Sequence, residues 1–291
     1  MKTIKKNSII LISLIRRHYP IIIAIGIFCA TLIGCLVFSV RQNQEHLIYA
    51  LDDPYIHMAI AKNFAQHGIW GITRFEFSSS SSSLLWVILL SLVYFLFGIN
   101  ELAPFILNVV FAVAIFVLSY MLFRRYRIRS FIIFVGLTAM MFLTSLFSLI
   151  FCGQEHTLHL LITIAFVYLS AEIISKEKIN NQEYSLLLIL SPLLTMSRYE
   201  GIFLLFVVSF LFIVKKKLLH ALFLGGFGFL PIVIFGLLSV SKGWYFLPNS
   251  VLLKGNMPNI SSLRSIFMFF FAAPYIKFIK LPTYYFLLFR L

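Results

Sequence analysis

From Pro20 to Val40 the chain runs without a charged side chain, about the 20 residues a helix needs to cross the hydrocarbon core of a bilayer. Comparable apolar runs recur along most of the remaining sequence. Short polar stretches, many of them basic, separate these runs. With 61% hydrophobic and only 12% charged residues, the chain lies far from the roughly one-quarter charged composition of soluble domains. A mean hydropathy of +0.98 requires most of its surface to face lipid or other apolar helices. The expected fold is an all-α, polytopic transmembrane helical bundle over residues 1–291, with no soluble C-terminal domain.

The net charge of +14 could suggest a nucleic-acid partner, but the basic residues fall in clusters between apolar runs. Lysine and arginine collect in cytoplasmic loops, and one topology accommodates the clusters. The basic start (Lys2, Lys5, Lys6, Arg16, Arg17) precedes an uncleaved first span running outward. That run is long for a signal-peptide core, and no small-residue cleavage site follows it. Residues 41–83 form a first outer loop. Leu84–Gly98, at about 15 residues, is short for a full crossing and reads as re-entrant or interfacial. Leu102–Phe123 returns inward to Arg124, Arg125, Arg127 and Arg129. Further spans are expected at 130–151, 157–174, 185–197, 202–214, 218–240 and 263–276, with a last one beginning near Leu281. The clusters Lys176/Lys178, Lys215–Lys217 and Lys277/Lys280 then all lie inside. The two short runs 185–197 and 202–214 could instead form one long helix, at the cost of burying Arg198 and Glu200 in lipid.

This topology sorts the polar residues. The outer side receives Asp52 and Asp53, the only aspartates in the chain, together with His57, His67, Glu155, His156, Arg198, Glu200, Asn249 and Lys254. Charged groups at a membrane face cost energy unless paired or hydrated, so their gathering there points to function. Pro54–Gln66 has the apolar spacing of an amphipathic helix that could lie on the membrane surface. Pro54 suits a first helical position, which makes Asp53 the expected cap and leaves Asp52 for chemistry. Gly68 can end that helix. The aspartates read either as cap and dipole partner or as a general base or metal-binding pair. Arg198 and Glu200 read either as an ion pair closing a helical hairpin or as a phosphate grip. Taken alone, Glu155 is a solvated turn residue, Lys254 a surface lysine, and Ser78–Ser83 a flexible low-complexity loop. His156 and His159, three apart, read as structural rather than metal-binding. Cys29, Cys35 and Cys152 show no disulfide or metal framework.

Four segments occur in a recognisable order. They are Leu51-Asp52-Asp53-Pro54-Tyr55-Ile56 through Gly68 and the serine run to Leu84-Leu85-Trp86; Gly153-Gln154-Glu155-His156-Thr157; Ser197-Arg198-Tyr199-Glu200-Gly201; and Pro248-Asn249-Ser250 with Lys254. Together they resemble the GT-C superfamily of integral-membrane glycosyltransferases, nearest its bacterial arabinofuranosyl- and mannosyltransferase-like branch. The first motif is fairly specific; the other three are weak singly. Leu84 and Tyr199 stand where the family often has proline. The family's enzymes commonly run longer than this chain, which stops within an apolar run at Leu291, so an N-terminal portion is expected.

The resemblance implies a multi-pass protein of the plasma (inner) membrane, and the lysine and arginine distribution sets its N-terminus in the cytoplasm. It implies a polyprenyl-phosphate sugar donor, a glycan or lipid acceptor, and an acidic residue of the first outer loop as catalytic base. That base would be Asp52, slightly favoured, or Asp53. Arg198, Glu200, Glu155, Lys254 and Asn249 would bind substrate, and a divalent cation, Mg or Mn, could be held by Asp52 or Asp53. No Gly-rich phosphate loop occurs, which fits a lipid donor better than a soluble nucleotide one. The competing expectations are a transporter or flippase of a lipid-linked glycan, against which the sequence shows no internal repeat, and an inactive truncated fragment.

Overall fold

The computed structural model describes residues 2–254, with side chains from His18 to Leu253. The chain divides into a unit of residues 1–249 and a second of 250–291. The spans expected at 263–276 and near Leu281 lie outside the described residues. All regular elements among the described residues are helices, in the order α1 (Lys2–Gln42), α2 (Asp53–His67), α3 (Leu84–Phe97), α4 (Ala103–Arg125), α5 (Ser130–Leu143), α6 (Leu146–Phe151), α7 (His156–Ser175), α8 (Asn181–Ser197), α9 (Gly201–Val214), α10 (Leu218–Ser241) and α11 (Asn249–Lys254). The His18–Gln42 part of α1, with α4, α7 and α10, is long and apolar enough to cross a membrane; α3, α5 and α9 are apolar but shorter. The chain is an all-α membrane protein.

Lipid tails are as apolar as leucine, so interhelical packing rather than water exclusion holds such a bundle together. Phe28, Trp86, Phe116, Phe166 and Phe212 are fully buried at its centre. Phe203, Phe206 and Leu222 on α9 and α10 point outward, as lipid-facing side chains do. Gly228 lets α10 close on Leu205 of α9, and Thr195 Oγ1 on α8 donates to Gly228 O at 2.6 Å. Within α8, Pro192 cannot donate to the Leu188 carbonyl, and Ser191 Oγ takes that role at 2.9 Å. This is how proline is tolerated in a span.

The helices run between two chemically different ends. At one, Arg125 meets Glu172 at 3.0 Å and Lys176 meets Glu183 at 2.7 Å. There Lys217 Nζ donates to Lys176 O and Tyr184 OH to His220 O. His18 joins Tyr120 at 2.8 Å, which brings the start of the α1 span to this same basic end. At the other end, Tyr49 OH donates to Glu101 O at 2.6 Å, and Ser83 Oγ donates to Ser197 O at 2.7 Å. Both flanks of α3 therefore meet groups of one end of the bundle, as a non-crossing helix requires.

Two expectations are corrected, and one alternative is set aside. The single span 130–151 is two helices, broken at Thr144 and at Ser145, whose φ is +51°. Thr144 Oγ1 donates to Met140 O at 2.7 Å, the local competition by which adjacent hydroxyl residues interrupt a helix. The serine run is not a flexible loop: Ser78, Ser79, Ser81 and Ser83 are all buried. Ser78 Oγ accepts from Ile72 N–H and Ser81 Oγ from Ser83 N–H. Residues 185–214 do not form one helix, because α8 ends at Ser197 and α9 starts at Gly201.

Candidate functional site

The polar residues of the second end gather where three helices begin. α2 starts at Asp53, α7 at His156 and α9 at Gly201. Each start leaves backbone N–H groups without intrahelical partners and the positive end of a helix dipole. Glu155 and Glu200 occupy the N-cap positions of α7 and α9, neither with a side-chain capping bond. Both carboxylates instead turn to Arg198.

Arg198 is the hub. Its Nη1 donates to Glu155 Oε1 at 3.0 Å and to His156 Nδ1 at 2.9 Å, and its Nη2 donates to Glu200 Oε1 at 2.8 Å. A guanidinium only donates, so His156 Nδ1 accepts and carries no proton. The hairpin ion pair expected between Arg198 and Glu200 is present, and Glu155 joins it. The arginine side chain keeps 26% of its surface open, Glu200 58% and Glu155 4%. The cluster thus has a buried floor at Glu155 and an open rim at Glu200.

Burial pushes the Glu155 carboxyl above its ordinary 4.5, and the pull of Arg198 toward ionisation does not cancel it. Glu155 Oε2 has no hydrogen-bond partner among the described residues; His57 Nδ1 lies 3.7 Å from it. The solvated-turn expectation for Glu155 is therefore corrected: Gly153, Gln154 and Glu155 turn inward beneath Tyr49. For Glu200, partial burial works upward, but the hydrogen bond and charge of Arg198 outweigh it and hold the carboxyl below its ordinary value. For Arg198 itself, burial works against the charge and the two glutamates overcome it, raising its pKa.

The α2 aspartates divide differently from expectation. Asp52, not Asp53, holds the N-cap position; it has helical backbone angles and makes no side-chain capping bond. Pro54 occupies the first turn, and Gly68 in the left-handed conformation ends the helix. The carboxylate of Asp53 reaches the cluster, where Gln154 Nε2 donates to its Oδ2 at 3.3 Å. Asp52 is exposed. Asp53 contributes to the electrostatic field at Glu155 and Arg198.

Asn249 meets the first loop instead, its backbone N–H donating to Ser79 O at 2.8 Å. The side chain of Lys254 lies outside the described residues. No group of three His, Cys, Asp or Glu side chains suited to a metal ion occurs among the described residues. The Arg198 guanidinium already supplies positive charge between Glu155 and Glu200. Cys29, Cys35 and Cys152 are free thiols.

Sequence reasoning passed over several supports. Gln154 is buried and bonded to Asp53. Thr157 Oγ1 donates to Asn108 Oδ1, and His159, which reads as structural in the sequence, pairs its Nδ1 with Ser197 Oγ at 2.8 Å. A polar side chain in an apolar run, as Asn108 is in α4, was the available signal for the pair with Thr157. An apolar cavity of about 450 Å³ lies between α2, α3, α8 and α10, lined by Phe64, Trp70, Leu84, Met196, Pro231 and Phe235 among others; Met196 is two residues before Arg198 in the chain.

No family model matches the chain, and neither a curated protein nor a solved structure is found to match it.

Proposed function

We propose that the chain is a membrane glycosyltransferase that moves a sugar from a polyprenyl-phosphate donor to an acceptor hydroxyl on the outer face of a plasma membrane, with its N-terminus in the cytoplasm. The observation that carries this reading is Arg198, a partly open guanidinium at the starts of α7 and α9, with the Asp53 carboxylate near the same cluster through Gln154. Helix starts and a guanidinium attract phosphate oxygens. The apolar cavity whose wall includes Met196, two residues before Arg198, offers a lipid tail a place. The concentration of lysine and arginine at the opposite end of the bundle supports an orientation with that end inside.

In this mechanism the Asp53 carboxylate takes the proton of the acceptor hydroxyl. The acceptor oxygen attacks the anomeric carbon as the bond from that carbon to the phosphate oxygen breaks. The electron pair leaves on the polyprenyl phosphate, where Arg198 neutralises the developing charge. Arg198 uses three of its five N–H donors within the cluster, which leaves two for phosphate oxygens, and Glu200, the more exposed partner, is the one that can swing away to free a third.

The test is transfer of a labelled sugar from polyprenyl-phosphate donors to glycan or lipid acceptors by the purified protein in proteoliposomes. Donor turnover that requires Arg198 and Asp53 is the expected result. Absence of transfer and of donor hydrolysis across a panel of polyprenyl-phosphate sugars overturns the reading.

A further inference from the structure

The basic end of the bundle holds a second cavity, of about 570 Å³, lined by His18 of α1, Leu118, Met121, Arg124 and Arg125 of α4, and Tyr168 of α7. The two arginines close α4, and Leu118, Met121 and Arg125 lie at i, i+3 and i+7, on one face of that helix. The cavity is accordingly amphiphilic along its depth. Charge sits at its mouth, at the level where a span leaves the bilayer, and apolar side chains lie one to two turns deeper. Met121 keeps 60% of its surface exposed, so this deeper part opens sideways.

The two arginines have different partners. Arg125 donates to Glu172 Oε2 at 3.0 Å and lies 5.6 Å from the Tyr168 ring centroid. Glu172 also lies 3.7 Å from Lys176, which Glu183 binds more closely. These acids leave Arg124, half-buried in the cavity wall, without a carboxylate partner among the described residues. Arginine at a helix C-terminus is favoured by the dipole, and that alone would account for an arginine pointing into water. It does not account for a guanidinium without an acidic partner beside a sideways-open apolar pocket.

We infer that this cavity binds an anionic phospholipid, its phosphate seated on Arg124 and Arg125 and its acyl chains along Leu118 and Met121. A bare phosphate could satisfy the arginines but would leave the apolar part of the pocket unused. A zwitterionic lipid would bring a cation toward His18 and the arginines. The match of charge at the mouth and apolar lining below is what selects an anionic lipid.

The test uses the full chain in detergent and native mass spectrometry with dioctanoyl phosphatidylglycerol, dioctanoyl phosphatidylcholine and inorganic phosphate as probes. Phosphatidylglycerol should bind about fivefold or more tightly than phosphatidylcholine. Arg124→Gln should remove most of that preference, and Arg127→Gln, which takes the same charge from the neighbouring turn, should keep it. Arg124→Lys retains charge but not the forked donor and should fall between; it also serves should the glutamine variant not fold. Equal binding of the two lipids overturns the inference. So does an equal loss in the Arg124 and Arg127 variants, which marks diffuse attraction. Displacement of phosphatidylglycerol by an equal concentration of phosphate also overturns it, since the site then takes a free anion. None of these outcomes depends on sugar transfer.

Discussion

Arg198 and Glu155, 43 positions apart in sequence, meet at 3.0 Å with the carboxylate almost fully enclosed. This contact ties the start of α7 to the α8–α9 turn, so the arginine proposed to meet a phosphate also pairs with a buried acid.

The proposed catalytic duty predicts that Arg198→Ala loses about 2–4 kcal/mol of transition-state stabilisation, read from kcat/KM for the polyprenyl-phosphate donor. Arg198→Lys should recover only part, because a point charge cannot reproduce the fork. Undiminished turnover in a folded Arg198→Ala protein would confine the arginine to structure.

The structural duty has a pH signature. Burial already holds the Glu155 carboxyl above 4.5, and Arg198 is the chief influence pulling it down. Removing Arg198 raises it further. A carboxyl raised in the folded state contributes stability that is fully present below its unfolded pKa and is lost as pH rises through the folded value. The melting temperature of Arg198→Ala should therefore fall increasingly behind that of the parent as pH rises above about 4.5. The double variant with Glu155→Gln should not show that widening gap. Parallel pH profiles for the single variant and the parent would contradict the coupling.

Asp53 and Asp52 should behave unequally. Asp53→Asn is expected to lower sugar transfer by about 100-fold, as for loss of a general base, while insertion and melting stay near the parent. Asp52→Asn, at an exposed position with no capping bond, should change turnover less than about threefold on the same scale. The reverse ranking in the same assay would return the role to Asp52.

Gly153 has φ +67°, and a Cβ there would clash with the edge of the Tyr49 ring. Gly153→Ala should cost about 1–3 kcal/mol, seen as a lowered melting temperature. Tyr49→Leu, which removes part of the obstructing ring, should relieve some of that loss. An unchanged melting temperature for Gly153→Ala would mean that the turn and ring can shift freely.

The long crossing helices were legible because a span is written in consecutive residues: α4, α7 and α10 lie within two residues of their expected bounds. The position of the α8–α9 turn was legible too, since Arg198 and Glu200 have no place in lipid. Burial of Glu155 and of the serines was not legible, because it depends on partners distant in sequence. Ser83 is bonded to a carbonyl 114 positions away, and a serine run read by itself differs in nothing from a solvated linker. That Asp52 rather than Asp53 holds the N-cap position escaped for a similar reason. Capping logic is local, whereas Asp53 is directed toward Gln154, 101 positions on.

The closeness of Gly228 to Leu205 fixes how α9 and α10 stand against each other, and so the depth of the arginine. With that register, α10 continues roughly nine residues, or about 14 Å, beyond the level at which α9 begins. Arg198, three residues before α9 begins, therefore lies below the level at which α10 ends. On the proposed reading, a phosphate anchored to a chain in the bilayer approaches the arginine at that level. An acceptor arriving from water has to pass alongside the projecting end of α10, so the length by which α10 outruns α9 sets a limit on how bulky the group next to its reacting hydroxyl can be.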